Sequence, residues 1–180
     1  EALSKNNMNF YFYCPKEDIH HRQNWKINYS TNWLKNFSKF CKIAKGKNIK
    51  IIAGISPGLS FDFKRNLSNK GFEYKLLNKK ANTLIKHGAN IISIMFDDIP
   101  PENLKNINKE KEGIIHANLL NQIYQENKFP VVAVPRIYAD ELLEENPYYI
   151  KQFFTQISFE IPIFYCGKYI VSNNFESKID

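Results

Sequence analysis

Five short apolar segments, rich in β-branched and aromatic residues, recur along the chain. They occupy residues 8–14, 49–55, 90–96, 131–134 and 161–166. Each has the length and composition of a buried strand, because β-branched and aromatic side chains pack well on a pleated surface. The pattern therefore predicts five strands.

Longer stretches with apolar residues at helical spacing separate these strands. They lie near residues 32–45, 73–87, 114–126 and 148–157, and Leu77, Ala81 and Leu84 show the spacing clearly. Strands that are apolar on both faces and alternate with helices are typical of parallel βαβ units. The 180 residues suit a single domain spanning 1–180, built either as a (β/α)₈ barrel or as a doubly wound sheet.

The residues after each predicted strand favour the barrel. No strand is followed by a glycine-rich phosphate loop, so a nucleotide-binding sheet is disfavoured. Polar or special residues stand there instead: Lys16 and Asp18, Ser56-Pro57-Gly58, Asp97-Asp98, Arg136 and Tyr138, and Gly167. In a barrel these ends converge on one mouth, where catalytic side chains belong. Because a complete barrel needs at least about 200 residues, we expect an incomplete (β/α)₈ barrel of about five parallel strands.

Charge and composition exclude two classes of function. The net charge is +7, but only three of the 25 basic residues are arginines and the lysines are scattered. Base and phosphate recognition favour arginine, so we expect no nucleic-acid partner. No apolar run approaches the roughly 20 residues needed to span a bilayer, so we expect no membrane role. Cys14, Cys41 and Cys166 lack paired spacing. We interpret them as core residues in a reducing compartment, and the cytoplasm is the default localisation.

Two adjacent carboxylates, Asp97 and Asp98, end the third predicted strand. Two neighbouring acids in a partly desolvated place titrate apart, which suits acid/base chemistry. Successive strand residues point to opposite sides, so the two acids need not act on the same atom of a ligand. Two alternatives stay open at this stage: an aspartate can cap the following turn or helix, and the pair can bind a metal.

The segment after the first strand is dense in functional side chains. Lys16 can donate to sugar hydroxyls or to an anion, and Asp18 can accept from hydroxyls or anchor the loop. His20 and His21 are sequence neighbours without an acidic ligand at helical spacing, so we expect no zinc site. For His21, Arg22 and Trp25 we favour a packed, salt-bridged loop over a catalytic role.

Three ordered motifs resemble glycoside hydrolase family 84, which contains the protein O-GlcNAcases and relatives described as hyaluronidases. Residues 9–18 read NFYFYCPKED, residues 53–59 AGISPGL and residues 96–99 FDDI. The usual family patterns are NTYxYAPKDD, AISPG and FDDI, in this order and at similar spacing. Further along, residues 135–138 (PRIY), 163–168 (IFYCGK) and 171–172 (VS) are similar to the family's PTEY, VFWTGP and VVS.

The resemblance implies a retaining hydrolase of terminal β-linked N-acetylglucosamine that needs no metal or organic cofactor. The substrate of such an enzyme is a glycan or glycoprotein. The 2-acetamido oxygen of the substrate itself is the nucleophile, and its attack gives an oxazoline intermediate. By motif position, Asp97 binds and orients the acetamido N–H, and Asp98 is the general acid and base. Lys16 binds sugar hydroxyls, Tyr138 supports the cyclisation, and Asp18 is a further binding residue.

The departures from the family pattern leave these assigned residues in place. Glu17 replaces an aspartate, Arg136 and Ile137 replace Thr and Glu, and Tyr165 and Cys166 replace Trp and Thr. No stretch matches the family's first strand or its last ones, so we expect a fragment lacking them. The alternative function is a non-catalytic remnant that binds a glycan or a protein. Unpaired strand edges would also favour a homo-oligomer.

Overall fold

The architecture is an open parallel sheet with a helix after each strand. It is described by a computed structural model that covers residues 2–64, 71–104 and 107–171. The strands are β1 (Phe10–Tyr13), β2 (Lys50–Ile55), β3 (Ile91–Met95) and β4 (Val131–Val134). The α-helices are α1 (Ala2–Lys5), α2 (Thr31–Lys45), α3 (Phe72–Lys86), α4 (Glu112–Glu126) and α5 (Tyr149–Gln156), with 3₁₀ turns at Pro101–Leu104 and Asp140–Glu145.

The strand order follows the chain order. The sheet runs β1-β2-β3-β4, and all three pairings are parallel. A doubly wound sheet reverses its order at a switch point, whereas a barrel adds each strand beside the previous one. The observed order is that of a partial (β/α)₈ barrel, which confirms the predicted fold class.

The segment predicted as a fifth strand forms a single bridge. Ile163 pairs with Ala133 of β4 in parallel. The bridge has two hydrogen bonds, from Ala133 N–H to the Pro162 carbonyl at 3.0 Å and from Phe164 N–H to the Ala133 carbonyl at 2.9 Å. Proline has no N–H to extend a ladder. The prediction of a strand over residues 161–166 is therefore wrong in extent, although the segment lies where the next strand would lie.

The core lies between the sheet and helices α2, α3 and α4. These pack on β2, β3 and β4 respectively, and α5 packs on α4. Ile55, Leu77, Ile92 and Leu120 are fully buried there. Of the cysteines, Cys41 is buried, Cys14 is half-buried and Cys166 is exposed, so the prediction of a core position is wrong for Cys166.

The outer edge of β1 is exposed. Met8, Phe10 and Tyr11 present large apolar side chains to solvent there. Association through such an edge stays a prediction. No helix within the described ranges is both long enough and apolar enough to traverse a bilayer.

Candidate active site

Asp98 is the meeting point of three loops, those after β1, β3 and β4. Arg22 Nη1 lies 3.2 Å and Lys16 Nζ 3.5 Å from Asp98 Oδ2, and the Tyr138 hydroxyl lies 3.5 Å from Oδ1. The contacts to Lys16 and Tyr138 are at the long limit for hydrogen bonds, as is common before a substrate is bound. Two residues predicted for the site from separate motifs, Lys16 and Tyr138, are thus brought to the carboxylate of a third, Asp98.

The backbone at Asp98 is unusual. Its φ of 52° lies in the left-handed region, which aspartate tolerates better than most residues but which still costs on the order of 1 kcal/mol. Arg22 Nη2 donates to the Asp98 carbonyl at 2.7 Å. Below the turn, a Cβ at Gly58 would lie 2.4 Å from Ile99 Cγ1, so the loop after β2 packs directly against the residue that follows Asp98. Backbone strain of this kind is typical of functional sites.

Asp97 lies in a different environment from its neighbour. It is half-buried, and its Oδ1 is buried without a hydrogen bond from any described residue. Burial is the main cause that raises the pKa of Asp97, and the adjacent Asp98 raises it further. An unpartnered carboxylate oxygen inside a protein carries a desolvation cost, so it is a ready acceptor for a ligand N–H.

Tyr138 is a phenol that stays protonated at neutral pH. Burial, with Asp98 and Asp97 nearby, raises the pKa of Tyr138 to about 12. Its hydroxyl can therefore donate a hydrogen bond to a ligand oxygen. A cleft of about 680 Å³ lies beside Asp98 and Tyr138, with Ile99 and Leu142 among its apolar walls.

Asp18 serves its own loop. Its Oδ1 accepts from the His20 N–H at 2.9 Å, and its own N–H donates to the Pro15 carbonyl at 3.0 Å. The aspartate also raises the pKa of Tyr29, after the larger effect of burial. These contacts are those of the loop anchor that the sequence left open, and the binding of substrate by Asp18 stays a prediction.

The loop of residues 14–30 is tied to β2. His21 Nδ1 lies 3.1 Å from the Gly54 carbonyl, and the Ser56 N–H donates to the His21 carbonyl at 2.9 Å. Because a carbonyl only accepts, Nδ1 carries the proton, and burial lowers the pKa of His21. The Trp25 indole N–H donates to Ser60 Oγ at 3.0 Å. Arg22 of the same loop forms an ion pair with Asp98, which agrees with the predicted salt-bridged loop and also brings Arg22 to the site.

A buried ion cluster supports the loop after β4. The Arg136 guanidinium contacts Glu112, with one bond of 3.1 Å to Oε2, and it contacts Glu145 Oε2 at 2.6 Å. Asn146 donates to Glu112 Oε2 at 2.8 Å. The Arg136 N–H donates to the Tyr149 hydroxyl at 3.0 Å. Sequence reasoning placed Arg136 among the polar residues at the barrel mouth and noted it as a departure from the family pattern, but it did not assign these partners to it.

His116 extends this cluster beneath β3. Its ring stacks on Phe96 at 4.2 Å, and burial lowers its pKa to about 3, so it is neutral. The Tyr149 hydroxyl, which accepts from the Arg136 N–H, lies 3.0 Å from His116 Nδ1, within hydrogen-bond distance. Within residues 2–64, 71–104 and 107–171, no group of three or more His, Cys, Asp or Glu side chains is placed to hold a metal ion.

A protein-family model matches almost the whole chain, and this match decides the family. The family model for β-N-acetylglucosaminidase matches residues 1–179. The chain belongs to this family.

Known relatives of this β-N-acetylglucosaminidase family member agree. Protein O-GlcNAcase from Rattus norvegicus is 32% identical over 126 residues, which is 68% of this chain and 13% of that protein, and the Mus musculus protein gives the same values. The solved structure of CpGH84B superposes with a TM-score of 0.81 at 28% identity and covers 95% of this chain and 30% of its own. These matches support glycoside hydrolase family 84.

A second solved structure shows the shared fold. A point mutant of the Thermobaculum terrenum O-GlcNAc hydrolase superposes with a TM-score of 0.78 at 24% identity, over 93% of this chain and 36% of that chain. The chain thus spans about a third of the length of these two solved chains. Of the matched motifs, Ser172 lies outside the described residues.

Proposed function

We propose that the chain is a single catalytic-type domain that removes terminal β-linked N-acetylglucosamine with retention, through an oxazoline formed by the substrate. The observation that carries this proposal is the contrast between Asp97 and Asp98. One carboxylate has an unpartnered buried oxygen, and the other is 39% exposed and surrounded by donors. Two adjacent acids in unlike environments suit two different tasks in one reaction.

In the first step the acetamido oxygen bonds to the anomeric carbon while the bond from that carbon to the leaving oxygen breaks. Asp98 gives its proton to the leaving oxygen. Asp97 accepts the acetamido N–H through its unpartnered oxygen, which orients the group and offsets the positive charge that develops on it. Tyr138, as a protonated phenol, donates a hydrogen bond beside the acetamido group.

In the second step Asp98 takes a proton from water as the water oxygen bonds to the anomeric carbon and the oxazoline opens. The product keeps the β configuration because the carbon is displaced twice. Lys16 is 80% exposed, so it is free to exchange its long contact with Asp98 for sugar hydroxyls. A pair this exposed contributes at most about 1 kcal/mol, and the exchange costs little.

The test is hydrolysis of 4-nitrophenyl N-acetyl-β-glucosaminide by the chain, beside Asp97→Asn and Asp98→Asn. Glu144→Gln, at an exposed acid outside the site, is the matched control. We expect turnover in the parent and the control, and a fall of at least about 100-fold in both aspartate variants. Unchanged turnover in Asp98→Asn would contradict the acid/base assignment.

The nucleophile is tested separately with substrates that carry fluorine on the acetyl group. Fluorine withdraws electrons from the acetamido oxygen, so turnover should fall steeply along the series if that oxygen attacks. A carboxylate nucleophile from the protein would give a nearly flat series. Proton NMR of the first-formed sugar tests retention.

A glycan-binding remnant without turnover is the second candidate. The chain spans 30% of the CpGH84B chain, so further sugar contacts of a full barrel lie outside the aligned part. Absence of turnover in the parent, together with N-acetylglucosamine binding that Asp97→Asn abolishes, would favour this function over hydrolysis.

A further inference from the structure

Lys80 is a buried cation on the inner face of α3. It is 2% exposed and follows Tyr74 and Leu77 on the apolar stripe of the helix. Taking an ammonium group out of water is costly unless its N–H groups find acceptors. The sequence alone shows a lysine at an apolar position of the helix, and such a lysine needs hydrogen-bond acceptors or a counter-ion.

The partners of Lys80 are three backbone carbonyls of one loop. Nζ donates to His20 O at 2.6 Å, to Trp25 O at 2.8 Å and to Ile27 O at 2.6 Å. An ammonium group has three N–H donors, and all three are used. The ring of Tyr29 lies 4.7 Å from Nζ and adds a cation–π contact.

The ammonium form is the one present at neutral pH. Burial lowers the pKa of Lys80 to about 8, and the nearby Asp18 opposes that shift. A neutral amine would have only two donors for three carbonyls. The protonated side chain therefore satisfies all three carbonyls. A hydrocarbon side chain of the same length would leave each of them without a hydrogen-bond donor.

The caged stretch of the loop contains the residue that holds Asp98. Arg22 lies between His20 and Trp25, both of which Lys80 binds, and it contacts the carboxylate and the carbonyl of Asp98. We propose that Lys80 is a positioning residue that fixes the loop of residues 14–30 so that Arg22 meets Asp98. This inference rests on the proposed function, in which Asp98 is the general acid and base.

The test compares Lys80→Met with Lys79→Met, at the exposed neighbour on the same helix. Hydrogen exchange is followed at the amides of Asn24 and Ile27, which form hydrogen bonds within the loop at 2.7 and 2.9 Å. In Lys80→Met we expect at least about tenfold faster exchange there, with the amides of β3 and β4 unchanged. An unchanged loop, or an equal increase throughout the protein, would overturn the proposal.

Turnover adds a readout that a general loss of stability would not give. We expect Lys80→Met to lower kcat about tenfold or more with little change in KM. Lys79→Met should leave both kcat and KM unchanged. If Lys80 acts through Arg22, adding Lys80→Met to Arg22→Met should lower kcat only slightly further. If the fold-losses of kcat in the two single variants multiplied fully in the double variant, Lys80 would not act through Arg22.

Chemical rescue tests the role of the N–H donors. Lys80→Ala leaves room for a small amine. Propylammonium should therefore restore the protection of the loop amides from exchange and raise kcat of the variant at least about fivefold. Trimethylpropylammonium has the charge but no N–H and should restore neither. Equal rescue by both ions would count against the carbonyl cage. If the parent shows no turnover, the proposed function fails, while the exchange and its rescue still decide the role of Lys80 in the loop.

Discussion

Arg22 holds Asp98 at two points, with one guanidinium nitrogen on the carboxylate at 3.2 Å and another on the main-chain carbonyl at 2.7 Å. The two residues are 76 positions apart in the chain. The second contact fixes the strained peptide from which the carboxylate extends, and the first fixes the direction of the carboxylate. Together they fix the position and the direction of the carboxylate that we propose as the acid.

Replacing Arg22 should therefore misplace the acid. We expect Arg22→Met to lower kcat/KM by about 100-fold, the effect typical of a displacement near 1 Å at a reacting group. Arg22→Lys keeps the charge but loses the planar fork, so it should fall between the parent and Arg22→Met. Steady-state kinetics with the aryl glucosaminide check this, with Lys79→Met as control. Equal activity of Arg22→Lys and the parent would mean that charge alone matters.

Tyr138 should act through its hydroxyl. Removing one preorganised hydrogen-bond donor from an active site typically lowers kcat by about 100-fold, and we expect this for Tyr138→Phe. Tyr165→Phe is the matched control, because the pKa of Tyr165 is also raised to about 12 but its hydroxyl donates to Asp140 at 2.7 Å. Similar kinetics for the two variants would remove Tyr138 from the reaction.

The raised pKa of Asp97 should lower the free energy of unfolding as the pH rises. Its pKa in the folded protein is raised, so between the unfolded value of about 3.9 and the raised value the folded state binds more protons than the unfolded state. Asp97→Asn lacks this effect. The variant should gain on the order of 1 kcal/mol over the parent at pH 7 and little at pH 4.

Urea unfolding of the parent and Asp97→Asn between pH 4 and 7 measures this difference. Glu144→Gln, at an exposed acid, should show no comparable trend. A constant difference between Asp97→Asn and the parent across the pH range would contradict the raised pKa.

The two acids that pair with Arg136 should differ in their effect on stability. The Glu112 side chain is 2% exposed and that of Glu145 is 55% exposed. Glu112→Gln leaves a buried guanidinium without its main counter-ion, and we expect a loss of about 3 to 5 kcal/mol. Glu145→Gln should cost less than about 1 kcal/mol because water screens that pair. Chemical denaturation of both variants checks the contrast, and equal losses would contradict it.

The fold was largely predictable because its signals are local. Apolar runs and helical stripes depend on neighbouring residues, and they predicted β1 to β4 and helices α2 to α5 within a few residues of the observed ends. Parallel strands bring their carboxyl ends to one edge. That topological fact let the sequence place Lys16, Asp98 and Tyr138 together before any contact was known.

The predictions that failed or fell short depended on position rather than on local pattern. Residues 161–166 are apolar enough for a strand, but Pro162 limits the ladder and only Ile163 pairs with β4. Cys166 lies in the same apolar run and is exposed. A periodic pattern cannot report whether a segment at the end of a sheet is paired and covered.

The sequence by itself determined the order of strands and helices, the strand ends that carry polar residues, and the family. The tertiary structure decided which partner each of those residues has. Arg22 reaches Asp98, and Lys80 reaches three carbonyls from 53 to 60 positions away. These contacts depend on the path of a loop through space. That path follows from the packing of β2 and α3 against the loop, and short-range periodicity has no access to it.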